Sequence, residues 1–449
     1  MLADGALRVP KLAVARAVGS FATRQHRLHT DLDVRADFAQ HKDTRKHTML
    51  EGTTPELEEF RSEVRAWIGE NFPEELRTPA KQDEYYQLLP RYPEGPDFAL
   101  WKERVVEKGW GTPGWPAEYG GGGLPTEQAR VVLQELVANG AYNPVQGMGT
   151  SLLGPTLLEF GNDEQKTTHL PRISRGEVRW CQGYSEPGSG SDLASLQTKA
   201  EDKGDHYLVN GQKIWTSGSL WANWIFCLVR TDPTVKHDGI SFLLIDMTTP
   251  GIEVRPIEII SGQSPFSEVF FTDVVVPKGN LVGKLNAGWT IAKRLLQFER
   301  DATNNNRRQL AGDQRPIDEI AKEYVGVDEQ GRIADPDLRT RVIRHMMAYK
   351  NLTLLQQRML DETKAGQGPS ASTSVVKNAR AHTQQEREEL LVEIMGYQGL
   401  GWTGDGFKDS ELETTRAFLS NKAMSIYSGT SEVQWNIVAK RILGLRDHQ

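Results

Sequence analysis

The chain contains the stretch Trp180-Cys-Gln-Gly-Tyr-Ser-Glu-Pro-Gly-Ser-Gly-Ser-Asp192 and, further on, the stretch Asn210-Gly-Gln-Lys-Ile-Trp-Thr-Ser217. Pro187, Gly188 and Gly190 interrupt regular structure in the first stretch, and small hydroxyl residues fill the gaps between them. A loop of this composition exposes many backbone N–H groups, so it can follow a flat, polar ligand closely. We therefore predict a ligand-binding loop here rather than an ordinary core element.

The second stretch predicts a β-hairpin. Tyr207-Leu-Val precedes the pair Asn210-Gly211, and residues 213–217 follow it. Asn-Gly is the strongest two-residue hairpin signal, and it places Trp215 near one end of the return strand. Taken alone, the first stretch fits an ordinary surface loop as well as a ligand-binding one, and the second fits a core tryptophan equally well. The ordered pair at this spacing argues against these ordinary roles.

Together the two stretches resemble the acyl-CoA dehydrogenase family. In that family a Ser/Thr-Glu-Pro-Gly-x-Gly-Ser-Asp loop and a later Lys-x-Trp-x-Ser/Thr strand hold the isoalloxazine ring of FAD. The resemblance covers about residues 54–446 and includes the segments 266–277, 283–289 and 426–434. No GxGxxG sequence follows a strand, so the flavin is not expected on a Rossmann fold.

Periodicity divides the chain into helical, β and helical parts. Residues 54–179 have helical spacing, for example in the run that starts at Pro55. Short β-rich runs occupy 181–290 and favour an antiparallel barrel or sandwich. Further helical runs follow at 289–311, 336–364, 370–396 and 409–442.

We therefore predict an α+β fold that is mostly α. Its parts are an extension at residues 1–48, an N-terminal helical domain at 49–180, a small antiparallel β-barrel or sandwich at 181–290, and a C-terminal four-helix bundle at 291–449. The bundle and the order of the domains are what the family resemblance implies.

The extension at residues 1–48 resembles a transit peptide in its first part. Up to Thr30 it contains one acidic residue, Asp4, against five arginines and lysines. It is a disordered segment, an over-long translation start or a targeting signal. The first two readings imply a bacterial cytoplasmic protein, and the third implies the mitochondrial matrix.

Composition excludes several classes of protein. The formal net charge is −7 and the pI about 5.9, which argues against a nucleic-acid binder. No apolar run approaches the length of a membrane span. Cys181 and Cys227 lie outside any CxxC spacing, so we predict free thiols in a reducing compartment. The ten histidines match no metal motif, so we predict no metal site.

The resemblance also implies a reaction. Desaturation of an acyl thioester removes an α-proton while hydride leaves the β-carbon for FAD, so the enzyme needs a carboxylate base and donors at the thioester carbonyl. Many family members take the base from an Ile-Tyr-Glu-Gly-Thr motif, but Ser428 occupies that position here. A second group takes it from an earlier helix, where this chain has Glu299 followed by Arg300. Glu299 is therefore our candidate base, and a solvated helix glutamate is the alternative.

The other site residues are carried over from the resemblance one at a time. The predicted cofactor-binding residues are Tyr184, Ser185, Gly190, Ser191, Trp215, Thr216, Ser217, Thr430 and Glu432. The predicted substrate-binding residues are Ser191, Arg300, Ser428 and Gly429. In the loop at 428–429 the backbone N–H would serve the thioester carbonyl. Glu432 is equally interpretable as an acid that stabilises the helix dipole.

One segment departs from the family pattern. In many relatives an arginine and a phenylalanine after the base helix reach the partner subunit's FAD, but the corresponding stretch here, residues 304–310 and onward, does not match that pattern. The contacts to the FAD adenine and pyrophosphate are therefore open, as is a symmetric homotetramer.

Three functions remain open at this point. The first is an FAD-dependent acyl-CoA dehydrogenase that passes electrons to an electron-transfer flavoprotein. The second is a non-catalytic subunit of a hetero-oligomer, and the third is a flavin oxidase or monooxygenase on the same fold. The expected partners are an acyl-CoA and one or more further subunits, as a homo- or hetero-oligomeric dimer or tetramer.

Overall fold

The computed structural model describes residues 54–78, 94–305, 315–365 and 372–446, and within these ranges it leaves out the side chains of residues 300–305, 360, 363 and 364. The predicted extension at 1–48 lies outside the described residues.

The N-terminal part is helical, as predicted. Its helices are α1 (Pro55–Asn71), α2 (Pro96–Glu107), α3 (Thr126–Ala138), α4 (Gly154–Phe160) and α5 (Asp163–Ser174). Helix α1 begins at Pro55, whose fixed φ suits the first helical position. Val64 and Ile68 of α1 are buried in one cluster with Trp101 of α2 and Val132 of α3. Burial of these apolar faces holds the helices together.

The middle of the chain forms a sheet. Its strands are β1 (Trp180–Gly183), β2 (Lys199–Asp202), β3 (His206–Ser217), β4 (Trp224–Arg230), β5 (Ile240–Asp246), β6 (Ile252–Ile257) and β7 (Phe266–Pro277). The strand order is β1-β4-β2-β3-β7-β6, and β5 pairs with β4. The predicted antiparallel pairing holds except where β1 and β2 each pair with β4 in parallel.

The predicted hairpin turn at Asn210-Gly211 is wrong. Strand β3 continues through these residues and pairs with β2 on one side and β7 on the other. The register with β7 shifts between Val209 and Gly211, which marks a β-bulge. The Asn210 side chain closes the bulge by donating to Asp273 Oδ1 at 3.1 Å and accepting from Asp273 N at 2.9 Å. Gly211 has φ +152°, and a Cβ there would meet the backbone of Thr198.

The C-terminal part is helical again. Its helices are α6 (Gly288–Asn305), α7 (Ile317–Val325), α8 (Pro336–Lys364), α9 (Ser372–Met395), α10 (Asp409–Ser420) and α11 (Ser431–Arg441). The predicted single helix over 409–442 is wrong, because α10 ends at Ser420 and α11 begins at Ser431. Between them Ser428 and Gly429 have positive φ, which a helix does not allow. The predicted helical runs also leave out α7, a short helix that buries Ile317 and Ile320 against α9.

The predicted architecture of helices, β-structure and helices is confirmed. Cys181 and Cys227 are free, as predicted, and both are buried in the sheet. Within the described ranges, no helix combines the length and apolarity needed to cross a membrane.

Candidate active site

The glycine-rich loop at residues 185–192 is fixed to strand β3 by a buried ion pair. Glu186 and Ser189 close a tight turn through reciprocal backbone hydrogen bonds of 3.2 and 2.9 Å. Within this turn the Glu186 carboxylate contacts Lys213 Nζ at 2.7 Å, and both side chains are buried. Lys213 Nζ also donates to the Tyr184 carbonyl at 3.2 Å. The loop therefore has a fixed position beside the strand that contains Trp215.

Hydrogen bonds complete the environment of Glu186. Its two carboxylate oxygens accept from the backbone N–H groups of Gln197 at 2.6 Å and Thr198 at 2.8 Å. Burial alone would raise the pKa of Glu186, but the Lys213 charge and these hydrogen bonds outweigh burial and hold that pKa below its usual range. Sequence reasoning did not single out Glu186 and Lys213. The available signal was an acidic residue in the stretch 180–192 that could pair with the one lysine in the stretch 210–217.

A second β-bulge aims Trp215 outward. The register between β3 and β7 shifts between Lys213 and Thr216, and Trp215 has φ +59°. Ile214 N donates to the Ser185 carbonyl at 2.9 Å, which joins the bulge to the glycine-rich loop. The Trp215 side chain is 54 % exposed and meets only the edge of Phe266, at 6.0 Å between centroids, among its described ring contacts. A large apolar face is thus presented to a ligand beside the loop.

The other predicted cofactor residues in the loop and in β3 differ in their exposure. Ser185 and Ser217 are partly buried, whereas Gly190 and Ser191 are exposed. Thr216 is fully buried, so a ligand on the exposed face could meet its backbone but not its side chain.

Glu299 and Ser428 meet, although they lie 129 residues apart in sequence. Glu299 is on α6 and is partly buried, and the Ser428 hydroxyl donates to its Oε1 at 2.9 Å. The candidate base therefore lies beside the position where many family members have their glutamate. Arg300 continues the backbone of α6, and its side chain lies outside the described residues.

Tyr184 lies just before the glycine-rich loop, within the electrostatic influence of Glu299. The Tyr184 ring is buried edge-on against Phe226 and Phe242. Burial first, and the Glu299 charge second, raise the pKa of Tyr184 well above its usual value. Its hydroxyl has no hydrogen-bond partner in the described part of the chain. The end of β1 and the C-terminal part of α6 therefore lie close together.

The segment after Ser428 leads into a helix start. Gly429 has φ +86°, and Thr430 caps α11 by accepting from Val433 N at 3.2 Å. Glu432 is exposed in the first turn, where its own backbone N–H and the Thr430 hydroxyl hold its pKa below the usual value. An acid at this position also stabilises the helix dipole.

A cavity of about 450 Å³ lies against the glycine-rich loop, lined by Glu186–Ser189, Ser195, Gln197, Thr198, Gly211 and Gln212. None of the predicted flavin-contact residues lines this cavity. Among the described residues, no group of three or more His, Cys, Asp or Glu side chains is arranged to hold a metal ion.

Comparison with known proteins identifies the family. The N-terminal, middle and C-terminal domain models of acyl-CoA dehydrogenases match residues 54–177, 181–274 and 286–443. The acyl-CoA dehydrogenase IpdE1 of Mycolicibacterium smegmatis is 34 % identical over 408 residues, which cover 87 % of this chain and 98 % of that protein. The chain belongs to the acyl-CoA dehydrogenase family. The members of this family typically bind FAD.

Solved structures of other acyl-CoA dehydrogenases share the fold. The ChsE4-ChsE5 complex from Mycobacterium tuberculosis is 30 % identical with a TM-score of 0.67, and the match covers 89 % of this chain and 100 % of that chain. The structure named Tcur3481-Tcur3483 steroid ACAD is 26 % identical with a TM-score of 0.70, covering 88 % of this chain and 99 % of that chain. Relatives of this acyl-CoA dehydrogenase thus include a two-component complex and a protein named for steroids.

Proposed function

We propose that the chain is an FAD-dependent acyl-CoA dehydrogenase that uses Glu299 as its general base. The observation that carries the proposal is the 2.9 Å contact between Ser428 Oγ and Glu299 Oε1. It brings a carboxylate from α6 to the loop where many relatives have theirs. The base is thus supplied by a different element at nearly the same point of the site.

The residues around Trp215 fit an isoalloxazine ring. An exposed indole, the hydroxyls of Ser185, Ser191 and Ser217, and the exposed backbone of Gly190 suit a flat ligand that is polar at its edge. The start of α11 at Thr430 offers further N–H groups. When bound, FAD supplies the two-electron acceptor that takes hydride from the β-carbon.

The protein's own part in the reaction is to place the substrate and move a proton. Glu299 accepts the α-proton, with the charge of its carboxylate passing to the thioester as the C–H bond breaks. The backbone N–H groups at Ser428 and Gly429 would stabilise the negative charge that develops on the thioester oxygen. The Ser191 hydroxyl and Arg300 would orient the CoA thioester.

We further propose a bulky, steroid-derived acyl-CoA as the substrate. This class is supported by the two steroid ACAD structures among the structural relatives. The bacterial relatives and the two buried free thiols are compatible with activity in a bacterial cytoplasm.

A partner subunit is supported by the surface of the C-terminal helices. Large apolar side chains around the 426–430 loop are half or more exposed, namely Ile426, Tyr427, Trp435, Leu443 and Leu445. Several large apolar side chains exposed within one short segment of a chain are typical of protein–protein contacts. We propose a hetero-oligomer, by analogy with the ChsE4-ChsE5 complex, with an electron-transfer flavoprotein as the electron acceptor.

The test is anaerobic, single-turnover bleaching of the flavin by a panel of steroid-derived and straight-chain acyl-CoAs. Glu299→Gln keeps the shape of the side chain but removes the proton acceptor, so bleaching should slow by about 10²–10⁴-fold while acyl-CoA still binds. Glu159→Gln is the matched control. Glu159 is an exposed carboxylate on α4 that pairs with Arg294 of α6, the helix that contains Glu299. Bleaching at the wild-type rate in Glu299→Gln would remove Glu299 from the mechanism.

Two outcomes would favour the other functions. A protein that carries no flavin and bleaches with no acyl-CoA until a second subunit is added would be the non-catalytic partner. Stoichiometric hydrogen peroxide formed in air would indicate an oxidase, whereas reoxidation by an electron-transfer flavoprotein supports the dehydrogenase.

A further inference from the structure

The Ser428 loop is held on both sides by side-chain contacts. Ser428 has φ +53°, a left-handed conformation that non-glycine residues adopt infrequently. Its carbonyl accepts from Gln434 Nε2 at 3.1 Å, and Gln434 is buried. A Cβ added at Gly429 would come within 2.6 Å of the same Nε2 atom. These contacts fix the backbone that places the Ser428 hydroxyl.

From this backbone the Ser428 hydroxyl points at the candidate base. The bond of 2.9 Å to Glu299 Oε1 joins the loop to α6. On the interior side, the unpartnered hydroxyl of Tyr184 is near enough for the Glu299 charge to act on it. The Glu299 carboxylate therefore accepts a hydrogen bond from the loop that contains Ser428.

We infer that Ser428 is a positioning residue for Glu299, whose hydroxyl sets the orientation of the carboxylate and stabilises its ionised form. This inference rests on the proposed role of Glu299 as the base. Many relatives place the base itself at position 428, and here a donor at that position would serve a base supplied by α6. A hydrogen bond donated to a carboxylate favours the charged form, which is the form that accepts a proton. A fixed carboxylate also loses less freedom when the α-carbon approaches.

Three substitutions separate the hydroxyl from the backbone. Ser428→Ala removes the hydroxyl and keeps the strained φ, and Ser428→Gly removes the hydroxyl but suits that φ. Ser428→Asn tolerates the left-handed conformation and restores an N–H donor. If the hydroxyl acts as inferred, the first two variants should behave alike and the third should recover part of the lost rate.

The measurement is α-proton exchange in D₂O, followed by proton NMR, with the full-length flavin-loaded protein and any partner it requires. The probe is a 3-thia-acyl-CoA, which can lose an α-proton but carries no hydrogen at position 3 to give as hydride. Ser428→Ala and Ser428→Gly should slow exchange on the order of 10-fold and move the acidic limb of its pH profile to higher pH. Flavin content and the dissociation constant of the probe should not change.

The same exchange assay in the Glu299→Gln background separates the role of Ser428 from the role of Glu299 as the base. Adding Ser428→Ala there should cause no further loss, because the group that the hydroxyl serves is already absent. An equal loss with Glu299 or Gln at position 299 would overturn the inference, since Ser428 would then act through another group. Wild-type rates and pH profiles in both Ser428→Ala and Ser428→Gly would overturn it as well. If Glu299→Gln exchanges protons normally, the proposed base is wrong, whatever the Ser428 variants show.

Discussion

The two loops of the candidate site are held in place by different kinds of interaction. The glycine-rich loop at 185–192 is anchored by the fully buried Glu186–Lys213 pair, whereas the loop at 426–430 is largely exposed and reaches Glu299 through a single described hydroxyl bond. A buried ion pair is lost only at a large cost, while an exposed hydrogen bond contributes little to folding. The side proposed to hold the cofactor is therefore built into the fold, and the side proposed to hold the base can vary with small cost to stability.

The largest expected effect comes from breaking the buried pair. Lys213→Met leaves the Glu186 charge buried without its cation, which should lower the free energy of unfolding by about 3–5 kcal/mol. Urea unfolding and flavin content measure the change. The double variant Lys213→Met with Glu186→Gln has no buried charge at this position and should recover part of the loss, although the glutamine amide can accept from only one of the Gln197 and Thr198 N–H groups. Equal instability of the single and double variants would show that the charge is not the cause.

A second buried carboxylate, which forms no ion pair among the described residues, provides the opposite case. Glu388 of α9 is 1 % exposed, and burial raises its pKa to about 7, with the Arg387 charge and the Gln384 hydrogen bond offsetting only part of that effect. The folded state therefore holds this proton more tightly than the unfolded chain. The contribution of Glu388 to the free energy of unfolding should be fully present below about pH 4.5. It should be lost as the pH rises to about 7, a decrease on the order of 3 kcal/mol.

Glu388→Gln tests this difference between Glu186 and Glu388. The variant should unfold at higher urea concentration than the wild type at pH 8 and should differ little from it at pH 4.5, because glutamine has no charge to bury. Glu389→Gln is the neighbouring control, since Glu389 is exposed and pairs with Lys422. A stability difference between Glu388→Gln and wild type that does not depend on pH would contradict the assignment.

The sequence predicted those features that depend on local pattern. The apolar face of α1 and the order of the three parts follow from spacing and composition. Asn210-Gly211 was misread because the same pair suits a turn or a bulge, and only strand β7, which pairs alongside, decides between them. The Ser428–Glu299 contact depends on how α6 and the loop pack across 129 residues, which no local spacing encodes.

A moderate effect is expected at the exposed side of the glycine-rich loop. Trp215→Ala removes the outward-facing indole and should weaken FAD binding by about 10-fold, as expected for the loss of one aromatic contact. Trp215→Phe keeps an aromatic face and should lose less. Fluorescence titration of the flavin-free protein with FAD measures both dissociation constants. Unchanged FAD affinity in Trp215→Ala would separate this tryptophan from the cofactor.

The smallest effect is expected at the far end of the same loop. Asp192 pairs with Lys236 at 2.9 Å, but the two side chains are 61 % and 54 % exposed. Water and salt screen such a pair, so Lys236→Met should change the free energy of unfolding by less than about 1 kcal/mol. Urea unfolding at low and high ionic strength should show any difference from wild type shrinking as salt is added. A loss comparable to that of Lys213→Met would mean that burial does not distinguish the two ion pairs of this loop.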